Sequence, residues 1–379
     1  MKTVDQPPRD KRYFSGAETA PIEVSAMLVG EVASDPVMTP AQVESIREIF
    51  MTPLTGSYNW DYESADGRIR RLYTLGKELN WNVDINLDWT KTISRDDYCT
   101  DQNFNIFRGW APYDTLSESD KIRFDWAQLA SNISQFLHGE QGALLVASQL
   151  ISCAPTFDAK LYAASQTFDE ARHVEVFSEF LKRQTGVMYP VNPRLKYLLD
   201  KILTDPRWDL KFVGMQIILE GLALAAFKST RAATRIPVLS DLLYLVIRDE
   251  SRHVTFGVNY LEEFCKQLSD QEREERALFA YEACVIMRDR LISEEVFAEF
   301  GWDVEVAKKR LLESTVLGDF RNLLFSRIMP NLKRIGLLTP TIRTRFDALG
   351  LLSYEHCQAD ADIDWVRLSK PLFESGQAA

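Results

Sequence analysis

The chain has 379 residues, of which 46% are hydrophobic, 26% charged and 11% aromatic. Those fractions belong to a folded globular protein and exclude a disordered or collagen-like chain. Asp and Glu outnumber Lys and Arg by 55 to 44, and the resulting charge of −11 argues against nucleic acid as a partner, because such a surface repels phosphate.

Residues 1–38 read as an irregular segment with several prolines and no sustained period. A helix start follows at Thr39, with Pro40 at the first helical position and Gln42 closing a capping box. Residues 39–116 read as a helical and loop layer with one helix near 64–79; their many Trp and Tyr side chains read as a core layer rather than a binding platform. From Ser117 the period is helical. Four long helices are expected over about 118–153, 157–184, 207–233 and 238–267, with a short one near 193–203. Further helices are expected near 270–297, 303–314, 317–335 and 340–349, and the tail after 353 gives no clear signal. The fold class is therefore all-α: a four-helix bundle over 117–268, packed between the N-terminal layer and C-terminal helices over 269–379, in one structural domain.

Cys99, Cys153, Cys265, Cys284 and Cys357 are odd in number and form no CxxC pair, which reads as reduced thiols in the cytoplasm. The N-terminus lacks the apolar stretch of a secretory signal, and no uninterrupted apolar run is long enough for a membrane span.

The bundle carries an internal echo at an offset of 80 residues. Glu140 matches Glu220, Asp169-Glu170 matches Asp249-Glu250, and Arg172-His173 matches Arg252-His253. Only four histidines exist, and two of them, His173 and His253, sit three residues after a glutamate, on the same helical face. Glu140 and Glu170 lie at equal heights, roughly 20 Å from the turn of the first hairpin at 1.5 Å per residue, and Glu220 and Glu250 do the same in the second. Six side chains therefore converge on one layer. Four glutamates buried in an apolar bundle would carry −4, which two divalent ions balance, and mixed carboxylate and imidazole donors suit iron or manganese. Asp169 and Asp249 are candidate acceptors for the outer nitrogens of the histidines, each for the other hairpin's ring. Arg172 and Arg252 are candidate braces between helices. Phe136, Leu137, Ala143, Leu144, Phe177, Gln216, Leu224, Phe227 and Val246 lie within two turns of these groups and are candidate pocket residues. His138 and His356 read as structural.

With those residues in view, the chain resembles the ferritin-like di-iron carboxylate superfamily. Gly139 to Ala143 and the two DExRH motifs, Asp169–His173 and Asp249–His253, are similar to those of bacterial multicomponent monooxygenase hydroxylases and, more loosely, to the ligand-binding oxidases related to ribonucleotide reductase. The resemblance covers about residues 120–265. It implies that Glu140, Glu170 and His173 bind one iron and Glu220, Glu250 and His253 the other, with a manganese–iron pair as the alternative. It also implies that the reduced pair activates O2. The departures are specific. Leu224 replaces the hydroxylases' threonine, and Phe177 replaces the reductase's radical tyrosine. Val246 stands where arylamine N-oxygenases have an extra histidine, and Gly142 and Met215 stand where the ligand-binding oxidases form a Val–Tyr cross-link. On this reading the chain matches no subfamily in full.

The implied function is a non-haem di-iron oxidase or oxygenase that hydroxylates, N-oxygenates or desaturates a small organic substrate. Electrons come from an external donor, since no flavin or nicotinamide fingerprint is present, and a homodimer is among the assemblies this allows. Iron storage or peroxide scavenging, a radical-generating subunit, and a non-catalytic oxygenase subunit are the competing readings. They are weakened respectively by the long flanks, by Phe177 and by the intact six residues.

Overall fold

The computed structural model of the chain describes residues 22–23, 39–52, 54–60, 62–288 and 292–362. Among them the chain is almost wholly helical. Helix α1 spans Pro40–Ile46, with the Thr39–Gln42 capping box formed, and α2 spans Gly67–Glu78. A short α3, Ala111–Asp114, precedes the first bundle helix, α4, Glu118–Cys153. The Ser117 hydroxyl accepts from the Asp120 amide to start α4, and the Ala154-Pro155 pair ends it. Thr156 caps α5, Phe157–Phe180, which runs on through a π-helical turn, Leu181–Thr185, to Gly186. Gly186 takes φ 68°, the left-handed conformation that closes a helix.

Helix α6, Pro193–Thr204, bridges to the second hairpin. That hairpin begins with α7, Trp208–Phe212, passes through a second π-helical stretch, Val213–Leu219, and continues as α8, Glu220–Ala233. Helix α9, Pro237–Cys265, returns alongside it. Then come α10, Asp270–Arg288; α11, Glu294–Glu299; α12, Val304–Leu312; α13, Thr315–Arg334; and α14, Pro340–Ala348. The one helix expected over 270–297 is thus two. Ser293 stands at the N-cap position of α11 with Glu294 and Glu295 in its first turn, the pattern of a fresh helix start.

Helix α4 packs on α5, α5 on α9, α9 on α8, and the π stretch with α7 closes the ring on α4. This is the ferritin-like four-helix bundle, and α2, α6, α10 and α13 cover its outer faces. One core runs through it, from Ile69 of α2 to Leu351 beyond α14. A second aromatic cluster joins Phe107, Tyr113 and Phe124 to Phe297 near the start of α4. The aromatic N-terminal layer is therefore only partly core, because Tyr58, Trp60 and Tyr62 are on the surface. The segment read as irregular contributes a short antiparallel pairing of Ile22–Glu23 with Val187–Met188; the rest of residues 1–38 lies outside the described residues. The stretch after 353 includes Asp360, which is buried, accepts from Asn331 Nδ2 at 2.7 Å and from Arg327, and receives the Thr255 hydroxyl of α9 on its carbonyl at 3.1 Å.

Trp208–Ala233 is long and apolar enough to cross a membrane by composition, but 94% of its most apolar window is buried inside the bundle, so packing accounts for it. The close approach of this helix to α9 depends on Gly257. A Cβ there would lie 2.5 Å from Gln216 Cβ, an atom fixed to the π-helical backbone. Gly257→Ala should therefore lower the unfolding free energy by about 1–3 kcal/mol. Gly139→Ala, whose Cβ would meet nothing within 4 Å, should be neutral or stabilising. Urea denaturation of both variants checks this, and an unchanged midpoint for Gly257→Ala would contradict it.

Candidate metal centre

The two hairpins bring Glu140, Glu170, His173, Glu220, Glu250 and His253 into one buried cluster. Glu170, His173 and His253 have no exposed surface, and Glu140, at 5%, is the most exposed of the six. His173 Nδ1 lies 3.2 Å from Glu140 Oε2, 3.3 Å from Glu170 Oε2 and 3.1 Å from Glu250 Oε1. His253 Nδ1 lies 3.1 Å from Glu170 Oε1 and 3.5 Å from Glu250 Oε2. Glu170 and Glu250 thus each turn one oxygen toward either histidine, whereas Glu140 groups with the His173 side and Glu220 with the His253 side. The arrangement is two overlapping donor sets that share Glu170, with Glu250 also facing both histidines.

The histidines face inward through Nδ1 because their outer nitrogens are held. His173 Nε2 donates to Asp249 Oδ2 at 3.3 Å, and His253 Nε2 donates to Asp169 Oδ2 at 3.1 Å. Each aspartate serves the histidine of the other hairpin, so the two hairpins are tied crosswise. Arg252 donates to Asp249 at 2.6 Å and to Asp169 at 3.0 Å, and Arg172 donates to Asp169 and, at 3.2 Å, to Asp249. Two cations and two anions balance in this outer layer. The charge of the inner glutamates is left uncompensated by the Arg residues.

Inside the cluster Glu170 Oε2, Glu220 Oε2, both Glu250 oxygens and His253 Nδ1 are buried without a hydrogen-bond partner. Buried acceptors left unmatched are costly, and here they point at one another. Burial, followed by the charge of Glu250, raises both Glu140 and Glu220 well above the usual carboxylate range. Burial alone would push His173 and His253 down. The carboxylates around them outweigh it, and both are raised well above an ordinary imidazole. Glu170 is held low against its own burial by His253. Without metal the cluster stabilises itself with protons; oxygen and imidazole donors in this number and spacing fit two divalent transition ions.

Two polar partners, Gln166 and Trp81, are absent from the residues singled out in the sequence. Gln166, one turn before Glu170, donates to Glu170 Oε1 at 3.1 Å and Glu220 Oε1 at 2.8 Å. Gln216 reaches Gln166 Oε1 at 3.5 Å. Gln166 is the echo, 80 residues earlier, of Val246, which is a fully buried core residue. Trp81 Nε1, from the loop after α2, donates to Asp249 Oδ2 at 2.6 Å.

A cavity of about 30 Å³ touches Glu140, Glu220 and Glu250. Of the nine candidate pocket residues, Phe136, Ala143 and Phe227 border it, and Phe177 stacks behind Phe136 and Phe227. Leu137, Leu144, Gln216, Leu224 and Val246 do not border it. The reason is rotational: Phe136, Gly139, Glu140 and Ala143 form one stripe of α4, and Leu137 and Leu144 fall off it. Leu195 of α6 closes the cavity from outside the bundle.

The family model described as P-aminobenzoate N-oxygenase AurF matches residues 63–336, well beyond the bundle itself. No curated protein sequence matches. Among solved structures, the R2-like ligand-binding oxidase with aerobically reconstituted metal cofactor after photoconversion aligns at TM-score 0.48 and 17% identity, over 73% of this chain and 95% of that chain. The same oxidase with aerobically reconstituted Mn/Fe cofactor (long soak) aligns at TM-score 0.47 and 15% identity, over 73% and 95%.

Metal loading must displace the protons that His173, His253, Glu140 and Glu220 hold. Because all four are raised, protons compete with metal for these groups, so metal affinity should climb with pH and loading should release protons. Anaerobic Fe(II) titration in weak buffer, with the released acid back-titrated, measures both; loading without acid release would refute the picture.

Proposed function

The chain belongs to the AurF family of N-oxygenases, and from that membership and the six-residue cluster we propose that it is a di-iron enzyme placing one oxygen atom of O2 on the nitrogen of a small organic amine. It is a dimetal oxidoreductase of the oxidase and oxygenase class. Val246, where the extra histidine of such enzymes would stand, marks a variant inside the family. The net reaction, R–NH2 + O2 + 2 electrons + 2 protons giving R–NHOH + H2O, draws its electrons from an external donor.

Glu140, Glu170, His173, Glu220, Glu250 and His253 would hold the ions, and Glu170 and Glu250 each face both histidines. A bound iron pair supplies the redox chemistry that activates O2. The protein's own work is positional. Asp249 and Asp169 fix the histidine tautomers so that Nδ1 presents its lone pair inward. Gln166 aligns Glu170 with Glu220 across the hairpins. Phe136, Ala143, Leu195, Leu219 and Phe227 keep the inner cavity dry, which protects a reactive centre from water. Iron in both places is the reading adopted, with manganese–iron the alternative. The free cysteines support a reducing, cytoplasmic setting.

The observation that carries the proposal is the crossed Asp–His pairing around shared glutamates. Iron-loaded, reduced protein should bind two irons per chain and consume O2 in step with arylhydroxylamine formation. An iron store would instead take up many ions and ignore the amine. Glu170→Ala should lose both ions, since that carboxylate faces both histidines. Asp249→Asn should weaken metal binding by about 10–100-fold. Full retention of two irons in Glu170→Ala, by metal analysis after dialysis, would refute the ligand assignment.

A further inference from the structure

The inner cavity is too small for a substrate ring. Its volume of about 30 Å³ is far below the roughly 150 Å³ of a cavity that takes a benzene ring, so it admits O2 or a single reacting group. Gln135 and Phe136 border it on one side and a second cavity of about 190 Å³ on the other. That outer cavity in turn shares Ile106, Gln128, Asn132 and Thr230 with a third, of about 250 Å³, that opens toward Phe104 and Asp125. The three cavities adjoin in a row that ends at Glu140 and Glu220.

The charge along this row has one sign. Among the described lining residues of the two outer cavities the charged side chains are Glu295 and Asp125; none is Lys, Arg or His. The Ser131 hydroxyl donates to Glu295 Oε1 at 2.6 Å, which leaves the carboxylate able to accept further N–H groups. The Gln128 side chain borders the same space. An anionic substrate would lie here beside a carboxylate and meet no cation among the described lining residues. Such a charge stays unpaired and partly desolvated. A narrow cleft of negative potential also draws in cations and repels anions.

We infer that the amine oxidised by this chain carries no carboxylate: it is an uncharged or cationic amine, unlike the p-aminobenzoate named for its family. The ring sits in the 190 Å³ cavity between Glu295 and Gln128, and its reacting nitrogen passes Phe136 and Gln135. The inference rests on the N-oxygenase reading and narrows it to a substrate class.

The test compares 4-aminobenzoate, 4-aminobenzamide and 4-aminobenzylamine, which share the ring and the aniline nitrogen. Binding to the full-length, iron-loaded protein is measured by equilibrium dialysis, and product by mass spectrometry. The amide and the benzylamine should bind at least about tenfold more tightly than the carboxylate. Glu295→Gln should weaken the benzylamine by about tenfold and leave the amide within about twofold, with iron content and thermal midpoint unchanged. Carboxylate binding equal to or tighter than the amide, or equal binding of all three, would overturn the inference while leaving N-oxygenation standing if hydroxylamine still forms. The expected binding order with no N-oxygenated product from any of the three would sink the N-oxygenase reading instead.

Discussion

Four glutamates buried at the centre of an apolar bundle are the constraint to which the rest of the structure answers. Taking carboxylates out of water costs several kcal/mol each unless something of opposite charge meets them. The protein does not meet them with its arginines. Arg172 and Arg252 are within reach, but they are spent on Asp169 and Asp249. The outer layer is neutral, and in the inner layer it is the histidines that face the carboxylates. An arrangement built for stability alone would have turned the arginines inward. Holding them one layer out keeps the glutamates available to ions and uses the aspartates to aim the histidines.

The packing of the bundle serves the same constraint. The π-helical stretch Val213–Leu219 ends where Glu220 begins, and it carries Gln216 against Gly257 of α9. A regular helix would rotate everything before Glu220 relative to everything after it. The widened turn lets α7 keep its contacts with α4 while Glu220 faces the cluster, and Gly257 supplies the missing side chain that lets the two backbones approach. π turns concentrate at functional sites for this kind of reason. The C-terminal tail contributes too: Asp360 receives the Thr255 hydroxyl two residues after His253, so a segment beyond α14 helps seat the metal-bearing helix.

Much of this was legible beforehand, and the pattern of what was not is instructive. Helix α4 begins at Glu118 and ends at Cys153, as its Ser117 cap and its Pro155 stop require, because local chemistry sets both ends. The common height of Glu140, Glu170, Glu220 and Glu250 followed from counting residues from two turns, since a helix rises by a fixed step. Counting could not show that Glu170 and Glu250 are shared between the histidines, because that depends on side-chain torsions. It could not show the π turn either, as a widened turn keeps the same apolar residues. Trp81 is 168 residues from Asp249, and no local signal links a loop tryptophan to that aspartate. Gln166 did have a signal: it stands one turn before Glu170, just as Gln216 stands one turn before Glu220. The pocket residues fared worst because nearness along a helix says little about direction; a position 100° off the stripe, such as Leu137, packs elsewhere.

The two ends of the cluster are chemically opposite, and that asymmetry orders the chemistry. Behind the histidines lies the dense network of Asp169, Asp249, Arg172, Arg252 and Trp81, every charge matched. In front of Glu140 and Glu220 lies a small space walled by Phe136, Ala143, Leu219 and Phe227, where the only neutral polar side chain is that of Gln135. Leu224, Phe177 and Val246 add no hydroxyl, phenol or imidazole to the cluster. The networked side is too tightly bonded to admit a molecule, and the apolar side is too poor in donors to solvate one. A reactant reaching Glu140 and Glu220 would therefore be placed by shape at its inner end, and polar recognition, as by Glu295, would lie farther out, in a cavity none of whose described lining residues belongs to the cluster.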